Sequence, residues 1–152
     1  MSSKIEIMAP VGSWESLAAA IEAGATSVYF GIEHLNMRSR SSANFTTEDL
    51  HTIVARCQAV GIKTYLTLNT VMYPEDLPLM QEIVDNAKLA GVSAIIASDI
   101  AALQYAYQQG VEVHLSTQLN IANTEALKFY AQYADVVVLA RELNMDQVAS
   151  IH

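Results

Sequence analysis

"MAPVGSWESLAAAIEAGATSVYFG", residues 8–31, holds the grammar that decides the fold. A short apolar run ends at Pro10-Val11-Gly12, and Ser13 stands where a helix N-cap belongs. An alanine-rich stripe follows, closes at Gly24, and a second apolar run, Ser27-Val28-Tyr29-Phe30, begins almost at once. That is one strand, helix and strand unit. The same beat recurs along the chain. Apolar runs at 5–8, 27–30, 63–69, 94–98, 112–118 and 136–140 read as strands. Amphipathic stretches at 14–23, 47–60, 77–90, 100–109 and 124–133 read as helices, with a last one starting near Asn144. Gly24, Gly61, Gly91 and Gly110 fall at four helix ends, where a left-handed cap favours glycine.

About six βα units in succession, with no Pro/Ser-rich linker between them, predict an α/β fold with a parallel sheet flanked by helices. A doubly wound nucleotide-binding sheet wants G-x-G-x-x-G after its first strand, and Pro10-Val11-Gly12-Ser13 is not that loop. Inner strands of such a sheet are apolar on both faces. Here one parity is apolar and the other mixed: Leu66 and Leu68 alternate with Tyr65, Thr67 and Asn69, and Val113 and Leu115 with His114, Ser116 and Gln118. Apolar residues towards helices and mixed residues towards an interior describe a barrel. The expectation is therefore a partial TIM-type barrel, with residues 1–152 forming its N-terminal part. A full barrel has eight units and the chain stops in a helical stretch, so a longer parent protein is expected.

Composition narrows the function classes. The formal charge of −8 argues against a surface that coats nucleic acid through basic residues, without excluding RNA contact elsewhere in a longer protein. No apolar run is long enough to span a bilayer and no signal-peptide pattern precedes the first strand, so no membrane association and a cytoplasmic location are expected. The single cysteine, Cys57, lies in a helical stretch and reads as a buried apolar residue. One cysteine builds neither a zinc site nor an iron–sulfur cluster, so no metal and no cofactor are expected within these residues.

In βα folds chemistry gathers where strands end. Those positions carry Asn69, Asp99, Gln118 with Asn120, and the pair Arg141-Glu142, a rim suited to hydrogen bonding a polar small molecule or a base edge, or, for Asn69, Asp99 and Gln118, to capping helices and tying loops together. The segment 32–45 is long for a βα loop, at about fourteen residues, and its Arg38 and Arg40 suit a phosphate or carboxylate. His114 and Ser116 have interior parity; His114 reads as a hydrogen-bonded core histidine rather than a metal ligand. H-E-x-x-H and G-x-S-x-G motifs are absent, and no nucleophile, base and orienter set assigns a catalytic residue.

Six segments carry a resemblance: residues 8–31, "LNMRSRSSANFTTEDL", "YLTLNT", "AIIASDIAAL", "VHLSTQLNIANTEALKFY" and "VVLARELN". In this order and at βα spacing they are similar to the N-terminal region of the collagenase-like peptidases of unassigned mechanism, the family numbered 32. The resemblance implies a barrel-like domain within a longer chain, with cysteines further on that hold an iron–sulfur cluster in some members. Other members are factors that hydroxylate a transfer-RNA wobble uridine with prephenate as a required metabolite, a ribosomal-RNA cytidine, or a ubiquinone precursor. Asn69, His114, Ser116, Gln118, Arg141 and Glu142 are the motif positions it carries over. Two functions follow as expectations for the intact protein: an RNA-modifying hydroxylation factor, or a hydrolase as the family label says. A partner-binding module is the third. The incomplete barrel is expected to self-associate, its first and sixth strands having no neighbour on one side.

Overall fold

The computed structural model describes residues 4–33, 35 and 45–152. Its elements alternate strictly: β1 (Met8–Pro10), α1 (Trp14–Glu22), β2 (Ser27–Phe30), α2 (Thr47–Ala59), β3 (Lys63–Leu68), α3 (Leu77–Ala90), β4 (Ala94–Ala97), α4 (Ile100–Gln108), β5 (Val113–Leu115), α5 (Thr124–Tyr130), β6 (Val136–Val137) and α6 (Met145–Ile151). The six strands form one parallel sheet in the order β1-β2-β3-β4-β5-β6, so each crossover returns beside the strand it left. Sequential order and common direction make a half-barrel. Met8 from β1 and Val138, just past β6, line one cleft with residues of β2, β3 and β4 and with Ser116, just past β5, which shows how far the sheet curls.

The two strand parities separate as the alternation demands. Val28, Phe30, Leu66, Leu68, Ile95 and Leu115 are fully buried on the convex face against the helices. Burying each such side chain contributes roughly 1.5–3 kcal/mol. The inward faces of α2 and α3 complete that layer with Leu50, Ile53, Val54, Cys57, Met80, Ile83, Val84 and Ala87. The helices begin where local chemistry supplies caps: the Ser13 hydroxyl accepts the Ser16 N–H at 3.1 Å, and Thr46 and Asp49 form a reciprocal capping box. Gly91 ends α3 at φ +82°, a conformation side-chain-bearing residues avoid. No helix of the described residues is long and apolar enough to cross a membrane.

Three strands differ from the sequence reading by more than one residue at an end. The first strand was expected at 5–8 and runs Met8–Pro10. Ile5 and Ile7 lie outside it, 87% and 60% exposed, and the Ile7 N–H goes to the Thr26 hydroxyl at 2.6 Å rather than into a ladder. The fifth strand was expected to reach 118 and stops at Leu115. The Ser116 side chain caps a 3-10 turn over Thr117–Leu119, which ends on Asn120 in a left-handed conformation. The sixth, expected over 136–140, is only Val136–Val137.

The long excursion after β2 starts and finishes at a clasp. Ile32 and Phe45 form a parallel bridge, the Glu33 N–H donates to the Phe45 carbonyl at 2.8 Å, and the Phe45 ring packs edge-on against Trp14 and Phe30 at 5.2 and 6.3 Å. Most residues between these ends, Arg38 and Arg40 among them, lie outside the described residues.

Candidate functional site: a polar mouth above a hydrogen-bonded floor

Register fixes which side chains share the concave face. Tyr29 pairs with Tyr65, Thr67 with Ile96, and Ile96 with His114, so these positions point into the curl of the sheet. At the C-terminal ends of the strands lies a cleft of about 300 Å³ walled by Met8, Tyr29, Ile96 and Val138, with Thr67, Asn69, Ser116 and Thr117 as its polar members. A neighbouring cleft of about 420 Å³ is lined by Asn69, Val71, Ser98, Asp99, Gln118 and Leu119. Asn69 belongs to both, so the two form one mouth over the ends of β3, β4 and β5.

The polar groups of that mouth are partly committed. The Thr67 hydroxyl donates to the Phe30 carbonyl at 3.1 Å, tying β3 to β2. The Ser98 hydroxyl donates to Gln118 Oε1 at 3.4 Å and steadies its carboxamide. The Ser116 hydroxyl accepts the Gln118 N–H at 3.4 Å. Asp99 caps α4, with Oδ1 accepting from Ala101 N–H at 2.8 Å and Oδ2 from Met72 N–H at 3.0 Å. Both carboxylate oxygens thus serve the backbone, and Asp99 ties the loop after β3 to α4. Asn120 donates from its amide to the Gln118 carbonyl at 3.4 Å. Arg141 and Glu142 are exposed in the turn after β6 and line neither cleft.

Below the mouth, at the N-terminal ends of the strands, a second set of groups crosses the interior. The Tyr65 hydroxyl donates to Glu6 Oε1 at 2.7 Å, and Lys63 lies 3.5 Å from the other oxygen of Glu6. The Tyr65 ring stands 5.1 Å from the ring of His114, whose Nε2 is 2.7 Å from Glu112 Oε1. Tyr65 and His114 come from β3 and β5, and they meet across β4 because Ala94 stands opposite Tyr65 there and has almost no side chain. Burial, and then the bond to Glu6, push the Tyr65 phenol far above its ordinary value. The same bond holds the Glu6 carboxyl below its ordinary value.

The mouth therefore collects Asn69, Asp99, Ser116 and Gln118, whereas His114 belongs to the floor. The sequence reading placed Tyr65 and Thr67 on the interior parity without making them site residues, and did not name Tyr29 or Glu6 for the site. Tyr29, Tyr65 and Thr67 lie on the parity that faces the interior; Glu6 lay within the stretch read as the first strand and precedes the strand that forms. Among the described residues no hydrogen bond joins Ser116 to His114, and no group of three or more His, Cys, Asp or Glu is placed to hold a metal ion. Cys57 is fully buried on the inner face of α2, so these residues do not fit an iron–sulfur cluster.

The sequence profile of peptidase family U32 matches residues 12–152, nearly the whole chain. The chain belongs to family U32. It is 69% identical over 147 residues to a protein named collagenase from Porphyromonas gingivalis, which covers 97% of this chain and 36% of that relative. It is 32% identical over 152 residues to the 23S rRNA 5-hydroxycytidine C2501 synthase of Escherichia coli, covering 99% of this chain and 23% of that one. The chain thus spans about a third or less of the length of these curated U32 relatives. The solved structure of the U32 peptidase Mk0906 superposes with a TM-score of 0.78 at 15% identity, covering 99% of this chain and 66% of that one, and shares the fold.

Proposed function

We propose that the intact protein is an RNA-modifying factor that hydroxylates a base of transfer or ribosomal RNA, and that this chain supplies its barrel mouth. The carrying observation is a mouth of amides and hydroxyls with no nucleophile–base pair among the described residues, in a chain similar along its whole length to a ribosomal-RNA hydroxycytidine synthase. Hydroxylation needs redox chemistry, which an iron–sulfur cluster held by cysteines elsewhere in the intact protein would supply. A cytoplasmic location follows from that substrate. Mass spectrometry of transfer and ribosomal RNA from cells with and without the gene tests the reading: loss of a hydroxylated base supports it, and an unchanged set of modified bases overturns it.

The hydrolase reading has its own support in the 69% identity to a protein named collagenase. Cleavage of gelatin or collagen by the purified intact protein would establish it. Self-association rests on a third observation. β1 and β6 each pair on one side only, and Ile5, Ile7, Val136 and Val138 stand exposed beside these edges. Sedimentation of the 152-residue chain should show oligomers that grow with concentration, and a clean monomer would overturn this.

A further inference from the structure

The helical layer opens between α4 and α5. Helices α2, α3 and α4 pack side by side, but α5 makes no comparable contact with α4, and none of its residues is buried. Along α4 a stripe at helical spacing, Ile100, Leu103, Gln104 and Tyr107, faces Phe129 and Tyr133 at the end of α5 and just past it. The rings pack edge-on, Tyr107 against Tyr133 at 5.8 Å and Phe129 against Tyr133 at 6.4 Å. Yet Ile100, Tyr107 and Phe129 stay half or more exposed, and together they form a contiguous apolar patch rather than scattered single residues. The notch between the two helices holds about 50 Å³, far below the roughly 300–1,000 Å³ of small-molecule sites. It admits the tip of one apolar side chain, so polypeptide is the occupant that fits.

Closing the barrel does not cover this groove. The two βα units that an eight-unit barrel still needs would enter between β6 and β1, with α6 and α1 as their helical neighbours. The groove lies on the other side of α6 from them. The chain covers 36% of the collagenase-named relative with six of those eight units, so a closed barrel accounts for about half of such a length. The remainder lies outside the barrel.

We infer that the groove between α4 and α5 is the docking face for the part of the intact protein's own chain that lies outside the barrel, which seats an apolar side chain in the notch beside Phe129. A tethered segment meets the groove at high effective concentration, whereas a second copy or a separate partner has to be recruited from solution. A small uncharged patch is enough for such a contact within one chain. The RNA-modifying reading neither supports this inference nor depends on it.

Hydroxyl-radical footprinting of the intact protein, read by mass spectrometry, tests it. Phe129 and Tyr107 should be oxidised roughly tenfold more slowly in the native protein than after unfolding, against about twofold for half-exposed rings with nothing over them. The protection should hold over roughly a hundredfold range of protein concentration, because a contact within one chain does not depend on it. In Phe129→Asp the docked segment would bury a carboxylate without a partner, so Tyr107 should lose its protection. Phe129 is exposed in the barrel itself, so the variant keeps the barrel fold, which circular dichroism checks. Slowing of only about twofold in the wild type overturns the inference. So does protection that grows with concentration, which assigns the face to a second copy. Protection of Tyr107 that survives Phe129→Asp overturns it as well.

Discussion

Replacing Tyr65 by Phe removes one oxygen from the floor of the half-barrel and leaves the ring against His114 in place. The hydroxyl donates to Glu6 at 2.7 Å, and the tyrosine is 4% exposed. Hydrogen bonds to charged groups contribute about 1.5–3 kcal/mol. The Glu6 side chain is 37% exposed and so recovers water when its partner is lost, which reduces the expected cost to about 1 kcal/mol. For a chain of this size that lowers Tm by about 3 °C. The pH dependence has a definite sign. The folded state holds the Glu6 carboxyl below its ordinary value, so the contribution is present above the unfolded value and disappears as pH falls through the depressed one. Urea unfolding of wild type and Tyr65→Phe should therefore differ by about 1 kcal/mol at neutral pH and converge in acid. In a double-mutant cycle with Glu6→Gln most of the loss should appear as coupling. A deficit that persists unchanged in acid, or a cycle with no coupling, would refute the link between Glu6 and Tyr65.

Leu115 is fully buried on the convex face, and Leu115→Ala should cost about 2–5 kcal/mol in a denaturant melt; a smaller effect than that of His114→Ala would reverse the strand phase. Asp99→Ala removes a cap and the acceptor of the Met72 N–H, so a loss of about 1–2 kcal/mol is expected, with faster hydrogen exchange at Met72 and Ala101. Burial pushes the Cys57 thiol up, so iodoacetamide at mildly alkaline pH should label it only after unfolding; labelling of the native chain at the rate of a free thiol would show that the inner face of α2 is open.

The repeated pattern of apolar runs, caps and glycines made the βα order legible, and the alternation along residues 63–69 and 112–118 made the barrel legible. Periodicity reports which face a residue occupies, and faces are what a parallel sheet fixes. It does not report what a polar side chain bonds to once there. Asp99 read as a rim carboxylate able either to meet a ligand or to cap a helix; it caps α4, and its second oxygen takes the Met72 N–H of the loop after β3, a tertiary contact with no local signature. Likewise the meeting of Tyr65 with His114 depends on Ala94 on the strand between them, and no single strand contains all three. The misplaced first strand has a similar origin. Ile5 and Ile7 are apolar enough for a strand, and at a sheet edge only the presence of a neighbour decides whether they join one.

The clasp between Ile32 and Phe45 makes the second crossover a socket. The bridge and the aromatic packing of Phe45 hold the two ends side by side, whatever length of chain runs between them. Closing a loop whose ends are already fastened grows costlier only with the logarithm of its length. Relatives could therefore exchange, lengthen or recharge the stretch that here carries Arg38 and Arg40 while the barrel beneath kept its register.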